Sequence, residues 1–169
     1  MRQAPAFLLM FVAVTGLGGC GYRPLYGTSA ESVGVNATLA SVSIPEADTR
    51  VGQIIRNDLI SAMHSGNGED RYTLTLTPVV KTNDINLQPQ PAITRQAINL
   101  SVAYELLDRG TGAKLHTGMT FSQVSYDVIR QPFADQQALT NATERAAHEV
   151  SGDIRTGIAA YFTANPPQP

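Results

Sequence analysis

Two spacings of apolar residues divide this chain. YTLTLTPVV alternates strictly, with Tyr72, Leu74 and Leu76 on one side and Thr73, Thr75 and Thr77 on the other. A period of two marks a half-buried β-strand, and threonine suits an extended backbone sterically. AINLSVAYELL repeats the pattern, with Ile98, Leu100, Val102, Tyr104 and Leu106 inward. DRGTGAK then reads as a glycine-rich hairpin turn. A further strand is expected to follow, with Leu115, Thr117, Met119 and Phe121 inward and a change of phase before Val124 and Tyr126. An earlier strand is expected over LASVSI, Leu39 to Ile44, where Ala40, Val42 and Ile44 share a face and Pro45 ends the run.

The other spacing is helical. Val51, Ile54, Ile55, Leu59, Ala62 and Met63 recur on one face, with Asp48 or Thr49 placed to cap the start and Gly66 and Gly68 to end it. From Asp135 to about Phe162, the residues Leu139, Ala146, Val150, Ile154, Ile158 and Phe162 form one apolar stripe. KTNDINLQPQPAI, Lys81 to Ile93, carries two prolines and breaks both patterns, as a long loop or an irregular strand end does. The order is β-α-β-β-β-α. The class is therefore α+β, with two helices on one face of a four-stranded mixed sheet. The strand reached through a helix pairs in parallel, and the hairpins pair antiparallel. The other face carries Thr, Ser, Asn and Gln, and is free to meet water or a partner.

The amino terminus follows a different logic. One arginine, Arg2, precedes the uncharged run Phe7 to Val14, and Gly16, Gly18 and Gly19 follow. That is the layout of a secretory signal peptide. The run falls short of the ~20 residues needed to span a bilayer. It ends in Leu17-Gly18-Gly19-Cys20, which matches the bacterial lipobox and contains the chain's single cysteine. Cleavage before Cys20 would leave it as the first residue, carrying an S-diacylglycerol group and an N-acyl chain. Each buried CH₂ adds about 0.8 kcal/mol, so these chains anchor firmly. Gly21, rather than Asp, follows the cysteine and points to the outer membrane by the usual sorting rule. The expected organisation is a signal peptide over 1–19, a lipid-anchored tether over 20–35, one domain over 36–163 and a disordered tail over 164–169.

Composition narrows the function. The chain has 169 residues, enough for one self-sufficient core. Charged residues make up 15%, and the net charge is −2 without a basic tract, which argues against a nucleic-acid partner. His64, His116 and His148 sit in separate elements without ligand spacing, so no metal site is read. No nucleophile elbow and no phosphate loop occur. Glu144 and His148 are four apart on the last helix, a spacing that a solvated helix face explains. No enzyme and no cofactor is expected beyond the acyl groups on Cys20.

CGYRPLYG directly after the lipobox, the β-α-β-β-β-α order, SYDV and ERAAHEVSGDIRTGIAAYF together resemble the lipopolysaccharide-assembly lipoprotein family, LptE, in its alphaproteobacterial form. The resemblance covers nearly the whole chain and is most specific at the cysteine and in the last helix. It implies an outer-membrane lipoprotein on the periplasmic side that plugs the LptD β-barrel, assists its assembly and takes part in lipopolysaccharide transport to the outer leaflet. Of the family's residues, only Cys20 carries over. A barrel lumen is polar, which suits hydroxyl and amide faces. Lipopolysaccharide is anionic, and basic side chains bind such groups; the candidates by position are Lys81, Arg95 and Arg130. An auxiliary lipoprotein of an ABC-type lipid transporter is the alternative. A lipid-anchored hydrolase would need a nucleophile–base pair that the sequence does not display.

Cys20→Ser should leave an unprocessed precursor, because an alcohol is a far poorer nucleophile than a thiolate. Intact-mass measurement checks this. Cleavage elsewhere, without acyl chains on the wild-type protein, would refute the lipobox.

Overall fold

The computed structural model describes residues 30–66, 69–84, 95–128 and 130–167. The expected signal peptide, Cys20 and the first part of the expected tether lie outside these residues, as do residues 85–94. In chain order the elements are α1 (Ala30–Ala40), β1 (Val42–Ser43), α2 (Arg50–Met63), β2 (Tyr72–Asp84), β3 (Arg95–Asp108), β4 (Lys114–Asp127) and α3 (Pro132–Ala164). The strands form one sheet in the order β1-β2-β3-β4. β1 is parallel to β2, and the other pairs are antiparallel. The expected α+β class and order are found, with helix α1 added in front.

β3 fixes which way the sheet faces. Ile98, Leu100, Val102, Tyr104 and Leu106 are buried on its inner side. Pairing of Leu74 with Leu106 and Leu76 with Tyr104 puts the even positions of β2 on the same side. α3 lies over this side. Its 33 residues span about 50 Å at 1.5 Å per residue, close to the ~45 Å of the 14-residue strands. Ala146, Val150, Ile154, Ile158 and Phe162 are its buried stripe, as the spacing predicts. Phe162 meets Tyr72 at 5.1 Å between ring centres, and Tyr161 stacks on His116 at the same separation.

α2 is shorter and covers only the β1 end. Thr49 Oγ1 accepts the Gly52 N–H at 3.1 Å and so caps the helix. The chain leaves α2 earlier than the glycines imply, because His64 itself takes the left-handed conformation, at φ 55°. Ile55, Leu59 and Met63 join Val42, Leu74 and the α3 stripe in the main core. A smaller cluster of Ile98, Tyr126 and Ala142 sits at the far end, under α3 alone.

Two local expectations are corrected. Leu39 and Ala40 end helix α1 rather than start a strand, and only Val42 and Ser43 pair with β2. Val35 and Leu39, four apart, turn α1 onto the core. Gly34, Asn36 and Thr38 are weak helix formers, so local preference hid this helix. Of the two readings of Lys81 to Ile93, the strand end holds for its first four residues, since β2 runs on to Asp84.

The second correction concerns β4. Met119 and Phe121 point away from the helices and are 75% and 72% exposed. Ile98 pairs with Val124, Leu100 with Ser122 and Tyr104 with Gly118, so the even residues of β4 face inward. The change of phase in β4 falls at Leu115, which packs on the core, and not between Phe121 and Val124. The one register irregularity lies at Leu106/Leu107, beside the start of β4. The inward side of this edge strand is polar because it meets the flank of α3 rather than its stripe. Thr120 donates to Asp153 at 3.0 Å and Ser122 to Glu149 at 2.7 Å. Gly118 is needed where Tyr104 crosses β4, since a Cβ there would overlap the ring. A Cβ at Gly157 on α3 would come within 2.6 Å of the Tyr104 hydroxyl. Burial, and secondarily Asp153, pushes the Tyr104 phenol above its ordinary value.

The β3–β4 turn is held by Asp108, whose Oδ1 accepts from the Thr111 N–H at 2.7 Å and the Thr111 hydroxyl at 2.8 Å. These bonds, the N–H first, hold the Asp108 carboxyl below the ordinary carboxylate value. Their contribution is present at neutral pH and is lost as the carboxyl protonates in acid.

Ile154→Asp should cost about 4 kcal/mol or more, because it buries an unpaired charge. Phe121→Asp should stay within about 0.5 kcal/mol, as an exposed substitution. Urea unfolding of the two variants checks the assignment of the faces, and equal losses would contradict it.

Candidate interaction face

Helices cover one side of the sheet, which leaves the other side as the largest regular surface without a cover among the described residues. The odd positions build it. Thr75 lies in register with Glu105 and Thr117, Thr77 with Ala103 and Met119, Val79 with Ser101 and Phe121, and Lys81 with Asn99 and Gln123. Hydroxyl and amide groups dominate, as the alternation in β2 and β3 indicates. Val79, Met119 and Phe121 add exposed apolar groups in two adjacent rows. Sequence reasoning missed Met119 and Phe121 because it read β4 in the wrong phase. The buried alternation of β3, carried across a hairpin, is the signal that would have found them.

At the far end β2 is open on both sides. α2 stops short of it, and Val80 on the helix side of β2 remains 42% exposed. Lys81, Arg95 and Arg130 all lie toward this end and are exposed. They do not form one cluster. Lys81 is in register with Asn99, four residues or about 13 Å along β3 from Arg95. Arg95 is paired with Asp127, Nε to Oδ1 at 3.2 Å. Arg130 follows β4, two residues before α3. An open groove of about 620 Å³ lies beside the first half of α3, lined by Arg95, Tyr126, Asp127, Glu144, Arg145 and His148. Its charges are mixed rather than uniformly basic. Phe133, in the first turn of α3, projects beside this end at 84% exposure.

The Glu144 and His148 spacing resolves into two contacts with α2. Glu144 lies 3.8 Å from Arg50. His148 Nδ1 lies 2.5 Å from Asp58 Oδ2, and the Ser151 hydroxyl donates to the same oxygen at 3.1 Å. This brings Ser, Asp and His together with the carboxylate in the middle. A hydrolytic triad needs the hydroxyl against the imidazole. Here Ser151 is buried and also donates to the Ala147 carbonyl at 2.6 Å. The arrangement ties α2 to α3. Among the described residues, no three His, Cys, Asp or Glu side chains converge as a metal site, and no helix is long and apolar enough to cross a membrane.

A sheet layered by helices on one side only and open on the other is an architecture seen in bacterial lipoproteins. The crystal structure of a protein from Caulobacter crescentus CB15 assigned as a lipoprotein is 30% identical, with a TM-score of 0.65, and the match covers 79% of this chain and 98% of that one. The chain belongs to the family of that lipoprotein. A minor lipoprotein from Acinetobacter baumannii (16% identity, TM-score 0.54, 70% of this chain and 88% of that one) shares the fold. So does rare lipoprotein B from Shewanella oneidensis (12%, 0.56, 73% and 95%). No family model and no curated protein matches the sequence.

Asp58→Ala should cost about 1–2 kcal/mol, since it removes a carboxylate that takes two hydrogen bonds and leaves the buried Ser151 with one. Glu144→Ala should cost less than about 0.5 kcal/mol, because its pair with Arg50 is long and exposed. Chemical unfolding curves of both variants give the comparison.

Proposed function

We propose that this chain is an outer-membrane lipoprotein, acylated at Cys20, that plugs the LptD β-barrel, helps it assemble and takes part in passing lipopolysaccharide to the outer leaflet. The observation that carries the reading is the open face of the sheet. A domain of this size exposes three long strands of hydroxyl and amide side chains, with Val79, Met119 and Phe121 among them. Such a face suits a polar lumen wall, where hydrogen bonds are plentiful and a few apolar contacts add affinity. Membership of a lipoprotein family supports the anchor, and the shared fold of rare lipoprotein B is consistent with the reading. The exposed Lys81, Arg95 and Arg130 are proposed contacts for the phosphates of lipopolysaccharide.

An auxiliary lipoprotein of an ABC-type lipid transporter would present a similar anchor, and copurified proteins separate the two. From detergent-solubilised membranes the wild-type chain should bring down LptD, and its deletion should lower barrel levels and hold lipopolysaccharide back from the surface. Thr77→Asp combined with Ser101→Glu places two carboxylates on neighbouring strands of the open face. That variant should fold, be lipidated and recover several-fold less LptD, because unpaired charge in a closed contact is costly. Recovery of ABC components, with normal surface lipopolysaccharide after deletion, would establish the alternative.

A further inference from the structure

The two edges of this sheet are not protected alike. Beyond Thr73, β2 has no strand on its outer side among the described residues. It carries Pro78 and Lys81, and proline and charge are the usual means of keeping another strand away. Among the described residues β4 is an edge along its whole length. Lys114 and Asp127 close its two ends, and no Lys, Arg, Asp, Glu or Pro stands between them. Its only irregularity is at the Lys114 end. Past that irregularity, residues 116–126 thus offer a long row of backbone groups without charge or proline, and with no strand on it among the described residues.

The two sides of that row differ in chemistry. On the open face stand Met119 and Phe121, two residues apart and both largely exposed. On the helix side α3 sets Glu149 and Asp153 beside the strand, where they accept from Ser122 and Thr120. Both are exposed, and among the described residues no ion pair neutralises either. A strand added here would place alternate side chains against the apolar pair and against the two carboxylates.

We propose that the edge of β4 receives an extended segment of another protein in which apolar and basic residues alternate. Backbone hydrogen bonds supply affinity in this mode, and the alternate side chains supply specificity. A second copy of this chain is a poor occupant. Its own Glu149 and Asp153 would arrive beside those of the first copy, and like charges at an interface are unfavourable. The inference does not rest on the barrel reading, which uses the face of the sheet rather than its edge.

The test uses the mature chain and a labelled decapeptide of alternating valine and lysine. Controls are a block peptide of the same composition and an alternating valine–glutamate peptide. Fluorescence anisotropy should show binding of the alternating basic peptide alone, and hydrogen exchange should show new protection within residues 116–126. Glu149→Gln with Asp153→Asn should weaken binding about tenfold. Met119→Ser with Phe121→Ser should weaken it by a similar factor, with circular dichroism unchanged because both side chains are exposed. No measurable binding, equal binding of the block peptide, or binding that leaves β4 amides unprotected would overturn the proposal. So would a dimer in sedimentation whose β4 is already protected without peptide, since the occupant would then be a second copy. Loss of LptD copurification would leave the proposal standing, and failure of the peptide test would leave the barrel reading standing.

Discussion

The whole arrangement depends on one contact, the apolar stripe of α3 laid lengthwise along the inner side of β3. Among the described residues β3 is the only strand with long partners on both sides, and five of its alternate residues are buried. α3 is long enough to follow it from end to end. Once that helix is seated, the even positions of β2 and β4 are committed to the same layer by backbone register. The odd positions are committed to solvent or to a partner. A one-residue slip would exchange the two sets entirely, so the register is strongly specified.

The second helix explains the asymmetry along the sheet. α2 has 14 residues, or about 21 Å, and fills the inner layer only near β1. The main core gathers there, under all three helices. At the far end α3 works alone over a small cluster, and β2 is exposed on both faces. The tie between the helices, through Asp58, His148 and Ser151, lies at the level where two-helix cover begins. A packed end and an open end in one small domain follow directly from the unequal helix lengths.

The same economy shapes the proposed function. With the helices on one face, three long strands have no covering layer on the other among the described residues. Threonine, serine and glutamine suit that face to water. Val79, Met119 and Phe121 are then available for contact rather than for the core. A lipid-anchored domain with such a face is suited to binding by broad contact. In the described residues, the Ser, Asp and His side chains that meet are arranged to join helices.

Much of this was legible in the chain itself. Strict alternation in β2 and β3, and the three-and-four spacing of α2 and α3, determine those elements because burial of one face is the dominant local demand. The order of elements then determines the class of fold, and a short apolar run ending in a lipobox determines the expectation of an anchor at Cys20. Only the tertiary structure decided the rest. Helix α1 forms because Val35 and Leu39 find a core to enter, against weak local preference. Lys81, Arg95 and Arg130 share an end of the molecule but not a site, because strand register sets their spacing. The face of β4 was decided by its pairing with β3. Both sides of that edge strand carry a mixture of apolar and polar residues, since one meets a polar helix flank and the other meets solvent, so neither side writes a clean period into the sequence.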